Sequence, residues 1–174
     1  VDGGAPTYTI SGGADSALFS IDAATGVLTF NTAPNFEVPT DAGGNNVYDV
    51  TVEVNDGNGG TATQAIAVTV TNVNEAPVIT SGAAISVAEN QTAVTTVTSA
   101  DVDGGAPTYT ISGGADAVLF SIDTATGVLT FNTAPNFEVP TDAGGNNVYD
   151  VTVQVDDGNG GTASQAIAVT VTNV

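Results

Sequence analysis

An internal repeat dominates the sequence. Residues 1–73 align without a gap on residues 102–174, at an offset of 101, and six of the 73 aligned positions differ. A repeat of this length is too long for helical solenoids, whose units span roughly 20–50 residues. It matches one self-contained β-sandwich. We therefore predict two domains, a partial repeat at residues 1–73 that lacks its N-terminal strands and a complete repeat at residues 74–174.

Alternating apolar and polar residues predict β-strands throughout each repeat. In the second repeat, Val151, Val153 and Val155 alternate with polar residues, a period typical of strands with one buried face. Seven strand candidates result, at residues 84–88, 93–98, 107–112, 119–122, 128–131, 148–155 and 166–172. Seven strands in one domain is typical of immunoglobulin-like folds. We predict an all-β chain of tandem seven-stranded Greek-key β-sandwiches joined end to end.

The composition excludes most enzyme chemistry and nucleic-acid binding. The chain has 19 acidic residues and lacks lysine, arginine, histidine and cysteine. It therefore has no imidazole base, no thiol nucleophile and no cation for phosphates. A carboxylate pair, as in glycosidases, is the chemistry that remains, but a sandwich of this size rarely encloses a pocket, so we predict no enzyme. No apolar run reaches the roughly 18 residues that span a bilayer, which predicts no membrane insertion.

The net charge of −19 predicts a divalent cation as cofactor. Without a basic side chain the carboxylates cannot form ion pairs, and their repulsion opposes the compact state. Clustered carboxylates then require a counter-ion from solution. Oxygen ligands in a flexible site favour Ca²⁺ over Mg²⁺. Because the chain has no cysteine for a disulfide bond, a metal is also the main cross-link left to a small β domain. This chemistry suits the extracellular space.

Several short acidic motifs follow one another in a fixed order along the chain. They are Val87-Ala-Glu89-Asn90, Asp101-Val-Asp103, Phe120-Ser-Ile-Asp123 with Thr126-Gly127, Asn136-Phe-Glu138, Asp157, and the junction Thr71-Asn72-Val73-Asn74-Glu75-Ala76-Pro77. Their first-repeat counterparts are Asp2, Asn35-Phe-Glu37 and Asp56. Over nearly the whole chain, this order and spacing resemble the cadherin repeat, in the variant found in bacterial surface proteins. The resemblance implies Ca²⁺ bound where the acids of successive repeats converge.

The resemblance implies one complete metal site and two half-sites. The complete site, between the two repeats, would use Glu37, Asn72, the backbone carbonyl near Asn74, Glu75, Asp101, Asp103 and Asp157. Asp101 and Asp103 are two residues apart, so on a regular strand both would face one ion. The half-sites, which would face adjacent repeats, are Asp2 with Asp56 and Glu89 with Glu138.

The junction departs from the fullest cadherin pattern in three ways. Asn72 and Glu75 stand where aspartate is usual, and one residue is deleted between Glu75 and Ala76. We therefore expect one or two ions at the junction, with affinity in the range of roughly 10⁻⁴–10⁻³ M typical of extracellular modules. Seven other aspartates are expected to form turns or lie on solvated faces. They are Asp15, Asp41, Asp49, Asp116, Asp123, Asp142 and Asp150.

The resemblance implies a structural function outside the cell. We interpret the chain as calcium-rigidified stalk repeats of a secreted bacterial cell-surface adhesin, a spacer whose partners are neighbouring repeats of the same array. An alternative is the subunit of a self-assembling extracellular fibre or surface layer, a homo-polymer completed by strand exchange between copies. A recognition module is a third hypothesis, but the loop at residues 139–147 lacks the aromatic residues that such modules expose.

Overall fold

Residues 4–174 are described by a computed structural model, in which the chain divides into two compact units between Val73 and Asn74. Asp2, a predicted half-site residue, lies outside the described residues. The helices of the described chain are two 3-10 turns of three residues, Ser16–Leu18 and Ala117–Leu119. Neither has the length or the apolar character to cross a membrane. The all-β class predicted from the period of two is confirmed.

The second unit is a sandwich of two sheets. Its strands are β6 (Val78–Ile79), β7 (Ala84–Ala88), β8 (Ala93–Thr96), β9 (Ser99–Ala100), β10 (Thr108–Gly113), β11 (Phe120–Ile122), β12 (Val128–Phe131), β13 (Val148–Asp156) and β14 (Thr162–Thr172). One sheet has the order β10-β13-β14-β7, the other has the order β11-β12-β8, and β6 pairs with β9. The pairing of β14 with β7 is parallel. Sheet neighbours such as β10 and β13 are thus distant in the chain, as in a Greek key.

The inner faces of the two sheets share one apolar core in the second unit. Val153 on β13 and Leu129 on β12 belong to different sheets, and both are fully buried. The ring of Phe131 lies 4.5 Å from that of Phe120 and 5.1 Å from that of Tyr149, the latter edge to face, a favoured aromatic geometry. Because successive strand residues point to opposite faces, the alternating sequence pattern is enough to build this core.

The first unit repeats part of this arrangement with a smaller core. Its strands are β1 (Thr7–Gly12), β2 (Phe19–Ile21), β3 (Leu28–Phe30), β4 (Val47–Asn55) and β5 (Thr61–Thr69). They form sheets of order β1-β4-β5 and β2-β3. Within the described residues, β5 has no neighbour on the edge where its counterpart β14 pairs with β7. In the same way, β3 has no neighbour on the edge where its counterpart β12 pairs with β8. The core of the first unit contains three buried apolar residues among those described, whereas the core of the second unit contains thirteen.

Five of the seven predicted strands have different bounds in the structure, and β14 begins four residues before the predicted residue 166. The strand predicted at residues 93–98 ends at Thr96 as β8, and β9, which was not predicted, begins beyond it at Ser99. Leu119, predicted to begin a strand, ends a 3-10 turn in which its N–H donates to the Asp116 carbonyl at 2.9 Å. A period of two cannot detect a turn that is closed by a hydrogen bond between residues three positions apart.

Four aspartates that were expected to form turns or face solvent are buried. Asp116 accepts backbone N–H groups from Ala143 at 2.7 Å and Asp150 at 2.8 Å. Asp142 accepts that of Asn147 at 3.1 Å. The four are Asp15, Asp41, Asp116 and Asp142. Asp41 and Asp142 accept N–H groups from four and five residues on, as expected of turn residues. Asp15 and Asp116 instead take their donors from 27 and 34 residues away, which local sequence does not show.

Candidate metal site

Asp101 and Asp103 lie in a turn between β9 and β10. The Asp103 N–H donates to Asp101 Oδ1 at 2.9 Å. Gly104 and Gly105 follow with φ of 74° and 116°, values that favour glycine and interrupt an extended strand. The expectation that both carboxylates project from one face of a regular strand is therefore wrong. They are joined instead by the hydrogen bonding of a single turn.

Asp157 follows β13 directly and is surrounded by the loop that it begins. Its Oδ1 accepts N–H groups from Asn159 at 2.6 Å and Gly161 at 3.0 Å. A Cβ atom at Gly161 would collide with Asp157 Oδ2 and crowd the backbone of Glu75 and Ala76. The glycine-rich loop therefore brings backbone donors close around one buried carboxylate and fixes its orientation.

The junction segment reaches the same aspartates. Asn74 Nδ2 donates to Asp157 Oδ2 at 2.7 Å, although the two residues are 83 positions apart. The Glu75 N–H donates to Asp103 Oδ2 at 2.8 Å, and carboxylate oxygens of these two residues lie within 4.8 Å of each other. The second unit thus brings together five residues singled out from the sequence, Asn74, Glu75, Asp101, Asp103 and Asp157. Only the backbone of Asn74 was expected to take part, so its side-chain contact was missed.

A small cavity beside this cluster has the chemistry of a cation site. It measures about 140 Å³ and is lined by Ser99, Asp101, Gly104, Gly105, Pro107 and Asp157. The Oδ2 atom of Asp101 is buried and accepts no hydrogen bond, which costs about 1–3 kcal/mol or more for a charged group. The chain has no cationic side chain to offset that cost. Oxygen donors alone suit hard cations, so the residues present fit Ca²⁺.

Hydrogen bonds lower the pKa of several aspartates. The Asn74 amide, followed by the Asn159 N–H, holds the pKa of Asp157 below its usual value. In Asp123, the Thr126 hydroxyl is the largest cause of a lowered pKa, followed by the Thr126 N–H. The pKa values of Asp22, Asp41 and Asp56 are also lowered, chiefly by backbone N–H groups or, for Asp22, by the backbone and hydroxyl of Thr25. These bonds stabilise the fold while the carboxylates are ionised.

The hydrogen-bonded turn at Asp123 is expected to lose its stabilising effect in acid. A folded pKa below the ordinary 3.8 means that the contribution is complete above that value and disappears as pH falls through the folded pKa. Asp123→Asn keeps a neutral acceptor, so the difference in melting temperature between the native chain and this variant is expected to shrink between about pH 6 and about pH 2. Calorimetry in chelator measures it. A difference that stays constant over this range would contradict the expectation.

Glu89 and Glu138 belong to the opposite end of the second unit. Glu89 Oε2 accepts the N–H of Phe137 at 3.0 Å, next to Glu138, and the Glu89 N–H donates to the Thr172 carbonyl at 3.0 Å. Val148, the first residue of β13, pairs with Thr170 on β14, and Thr172 lies two residues further along β14. Asp157 instead follows the last of the nine residues of β13. The two acidic groups are therefore separated by roughly 27 Å, the length of β13.

Glu37, Asn72 and Asp56 belong to the first unit. Asp56 Oδ1 accepts N–H groups from Asn58 at 2.8 Å and Gly60 at 2.9 Å, as Asp157 does in the second unit. The loop of Glu37 has the sequence of the Glu138 loop. The contribution of Glu37 and Asn72 to a site shared with the second unit stays a prediction.

The sheet order and the two acidic ends define a sandwich of the cadherin type. The fold is similar to human protocadherin-24 EC1-2, with a TM-score of 0.66 and 21% identity over 99% of this chain and 83% of that chain. It is also similar to mouse cadherin-23 EC22-24, with a TM-score of 0.62 and 22% identity over 98% of this chain. The chain spans 53% of the latter structure. At these identities the likeness shows the fold.

The family is shown by sequence. A family described as bacterial Ig domain matches residues 74–170, more than half of the chain, so this chain belongs to the bacterial Ig domain family. Together with the cadherin-like fold, this confirms the predicted bacterial cadherin-like or Ig-like repeat. Family and fold are those of non-enzymatic structural and adhesion modules, which agrees with the prediction of no enzyme. A search among curated proteins found no match.

Proposed function

We propose that the chain consists of calcium-binding spacer repeats from an extracellular bacterial adhesin. The observation that carries the proposal is that Asp101, which lines a cavity together with Asp157, has a buried Oδ2 atom that accepts no hydrogen bond. In a chain of net charge −19 without a basic residue, a cation from solution is the available partner. Bacterial Ig-like domains are extracellular modules, and Ca²⁺ is the hard cation that suits such sites.

Asp101, Asp103 and Asp157 would hold the ion, with Glu75 beside them. The cadherin resemblance adds Glu37 of the preceding repeat as a ligand. The second unit has one acidic group at each end of β13, and this arrangement supports a ligand set drawn from two successive repeats. Glu138, the counterpart of Glu37, belongs to the end away from Asp157. A head-to-tail array, in which the far end of one repeat meets the near end of the next, uses the same contact at every junction.

Calcium in this site would act mechanically. The ion supplies positive charge among carboxylates that otherwise repel one another. Small interfaces between domains normally permit relative motion, and a ligand set drawn from both repeats would restrict that motion. The array would then behave as a stiff spacer whose length depends on the number of repeats.

The fibre alternative lacks a driving force in this chain. The described residues contain two similar acceptor edges, at β5 and at β14, but one donor strand of the β7 type. Moving that donor from the second unit of one copy to the first unit of another fills one edge and empties another. Strand exchange therefore creates no net pairing, and we favour the spacer function.

Small-angle X-ray scattering of the 174-residue chain tests the spacer function. In about 10 mM Ca²⁺, above the expected dissociation constant, we expect a longer maximum dimension and a narrower distance distribution than in chelator, at the mass of one chain. Mg²⁺ at the same concentration is the control for screening. A scattering curve that does not respond to Ca²⁺ would rule out stiffening, and a mass that grows with concentration would favour the fibre.

A further inference from the structure

An asparagine, buried in the first unit and half-buried in the second, contacts the loop that carries each predicted glutamate ligand, Glu37 or Glu138. In the first unit, Asn46 Nδ2 donates to the Phe36 carbonyl at 2.9 Å, next to Glu37. In the second, Asn147 Nδ2 donates to the Phe137 carbonyl at 3.0 Å. Each bond joins residues 10 positions apart. The backbone that carries the glutamate is thus tied to the residue before β4 or β13.

The backbone conformation does not explain the choice of asparagine. Asn46 and Asn147 have φ of 61° and 62°, and glycine adopts such values without steric cost. Among the described residues, positive φ belongs to glycine in every other case except Asn90. Asn46 and Asn147 also bury an Oδ1 atom that accepts no hydrogen bond, a cost that glycine would avoid. What asparagine adds is the amide donor to the glutamate loop.

A buried aspartate accepts the backbone N–H of this asparagine in each unit. Asp41 Oδ1 accepts the Asn46 N–H at 3.0 Å, and Asp41 Oδ2 accepts the Asn45 N–H at 2.9 Å. Asp15 Oδ1 in turn accepts the N–H of Ala42 at 2.6 Å. The second unit contains the same bonds at an offset of 101. A continuous set of hydrogen bonds therefore leads from a buried carboxylate to the loop that carries the glutamate.

We propose that Asn46 and Asn147 are positioning residues, which orient Glu37 and Glu138 for calcium through the backbone of the preceding phenylalanine. The inference rests on the proposed function, because it assigns these glutamates to the metal. In the second unit, Phe137 has another support, since its N–H donates to Glu89 Oε2 at 3.0 Å. The described part of the first unit contains no counterpart of Glu89, so Asn46 is the more important support of the two.

The repeat provides a matched control for the test. Asn46→Gly and Asn147→Gly remove the same amide from the same local structure and preserve the positive φ. Glu37 is assigned to the site with Asp101, whereas the partner half of the Glu138 site is not part of the 174 residues. Calcium titration by calorimetry is therefore expected to show an affinity weakened about 3- to 10-fold in Asn46→Gly, the effect of one hydrogen bond, and unchanged in Asn147→Gly. Melting in chelator measures the structural cost of each variant separately.

Each outcome decides between the proposals. Native affinity in Asn46→Gly, or equal weakening in both variants, would overturn the positioning role while leaving calcium binding intact. Absence of calcium binding by the native chain would overturn both proposals. If Asn46→Gly fails to fold, the milder pair Asp41→Asn and Asp142→Asn is used. Each replaces with an amide one of the two oxygens that accept the N–H groups of Asn46 and Asn45, or of Asn147 and Asn146. The same asymmetry in calcium affinity is expected of that pair, and equal affinities would reject the inference.

Discussion

Asp101→Asn is expected to abolish the calcium-dependent gain in thermal stability of the second unit. Asp101 provides the buried Oδ2 that accepts no hydrogen bond, and an amide there offers the ion a nitrogen in place of a charged oxygen. For a dissociation constant of roughly 10⁻⁴–10⁻³ M, about 10 mM Ca²⁺ stabilises the native unit by about 1.4–2.7 kcal/mol. This corresponds to a rise of roughly 5–20 °C in melting temperature for a domain of this size.

The same variant is expected to behave differently in chelator. The introduced amide still presents an Oδ1 atom to the Asp103 N–H, whose bond to Asp101 Oδ1 measures 2.9 Å in the native chain. The substitution also removes one charge from a cluster of like charges, so the metal-free melting temperature is expected to equal or exceed the native value. Differential scanning calorimetry with Ca²⁺ and with chelator measures both effects, with Asp123→Asn, which is not one of the proposed ligands, as a control. A full calcium response in Asp101→Asn would exclude this carboxylate from the site.

Leu129→Ala is expected to destabilise the second unit much more than Leu28→Ala destabilises the first. The two leucines occupy equivalent positions, at the start of β3 and within β12. Leu129 is fully buried between two sheets, and truncating such a side chain costs about 2–5 kcal/mol. Leu28 is half-buried in a unit with two open strand edges, so less of its surface is withdrawn from water and about 1–2 kcal/mol is expected.

Calorimetry in the presence of calcium distinguishes the two leucine variants. A unit of about 100 residues is stable by about 5–15 kcal/mol, so Leu129→Ala is expected to lower its transition by roughly 10–30 °C. Leu28→Ala is expected to shift only the transition of the first unit, which has the smaller core. Equal costs at the two positions would mean that the first unit packs in solution as tightly as the second.

Local pattern was sufficient for the order of the acids and for seven strands of the second unit, but not for the two-residue strands β6 and β9. Residues such as Val153 and Val155 alternate with polar ones, and in a strand this alternation places the apolar side chains on one face and the polar side chains on the other. Asp123 was expected to form a turn or to lie on a solvated face, and in a turn an aspartate accepts hydrogen bonds from the backbone two and three residues on. In the structure it accepts them from Ala125 and Thr126.

The candidate site depended on contacts that local pattern cannot show. The resemblance to a family supplied the set of acids, but the turn geometry of Asp101 and Asp103 contradicted the expected strand. Likewise, the buried Asp116 takes its backbone donors from 27 and 34 residues away. Whether an aspartate faces water or accepts backbone donors is decided by what packs over it, which short sequence windows do not contain.

The sequence by itself determined the repeat and the all-β class, because composition and period do not depend on how the chain is folded. The tertiary structure decided that Asn74 contacts Asp157 across 83 residues, and that Asp101 Oδ2 is buried without a partner. The physical reason is that strand pairing between β10 and β13 brings the turn before one strand beside the loop after the other. Carboxylates that are scattered along the chain become a site only when that pairing forms.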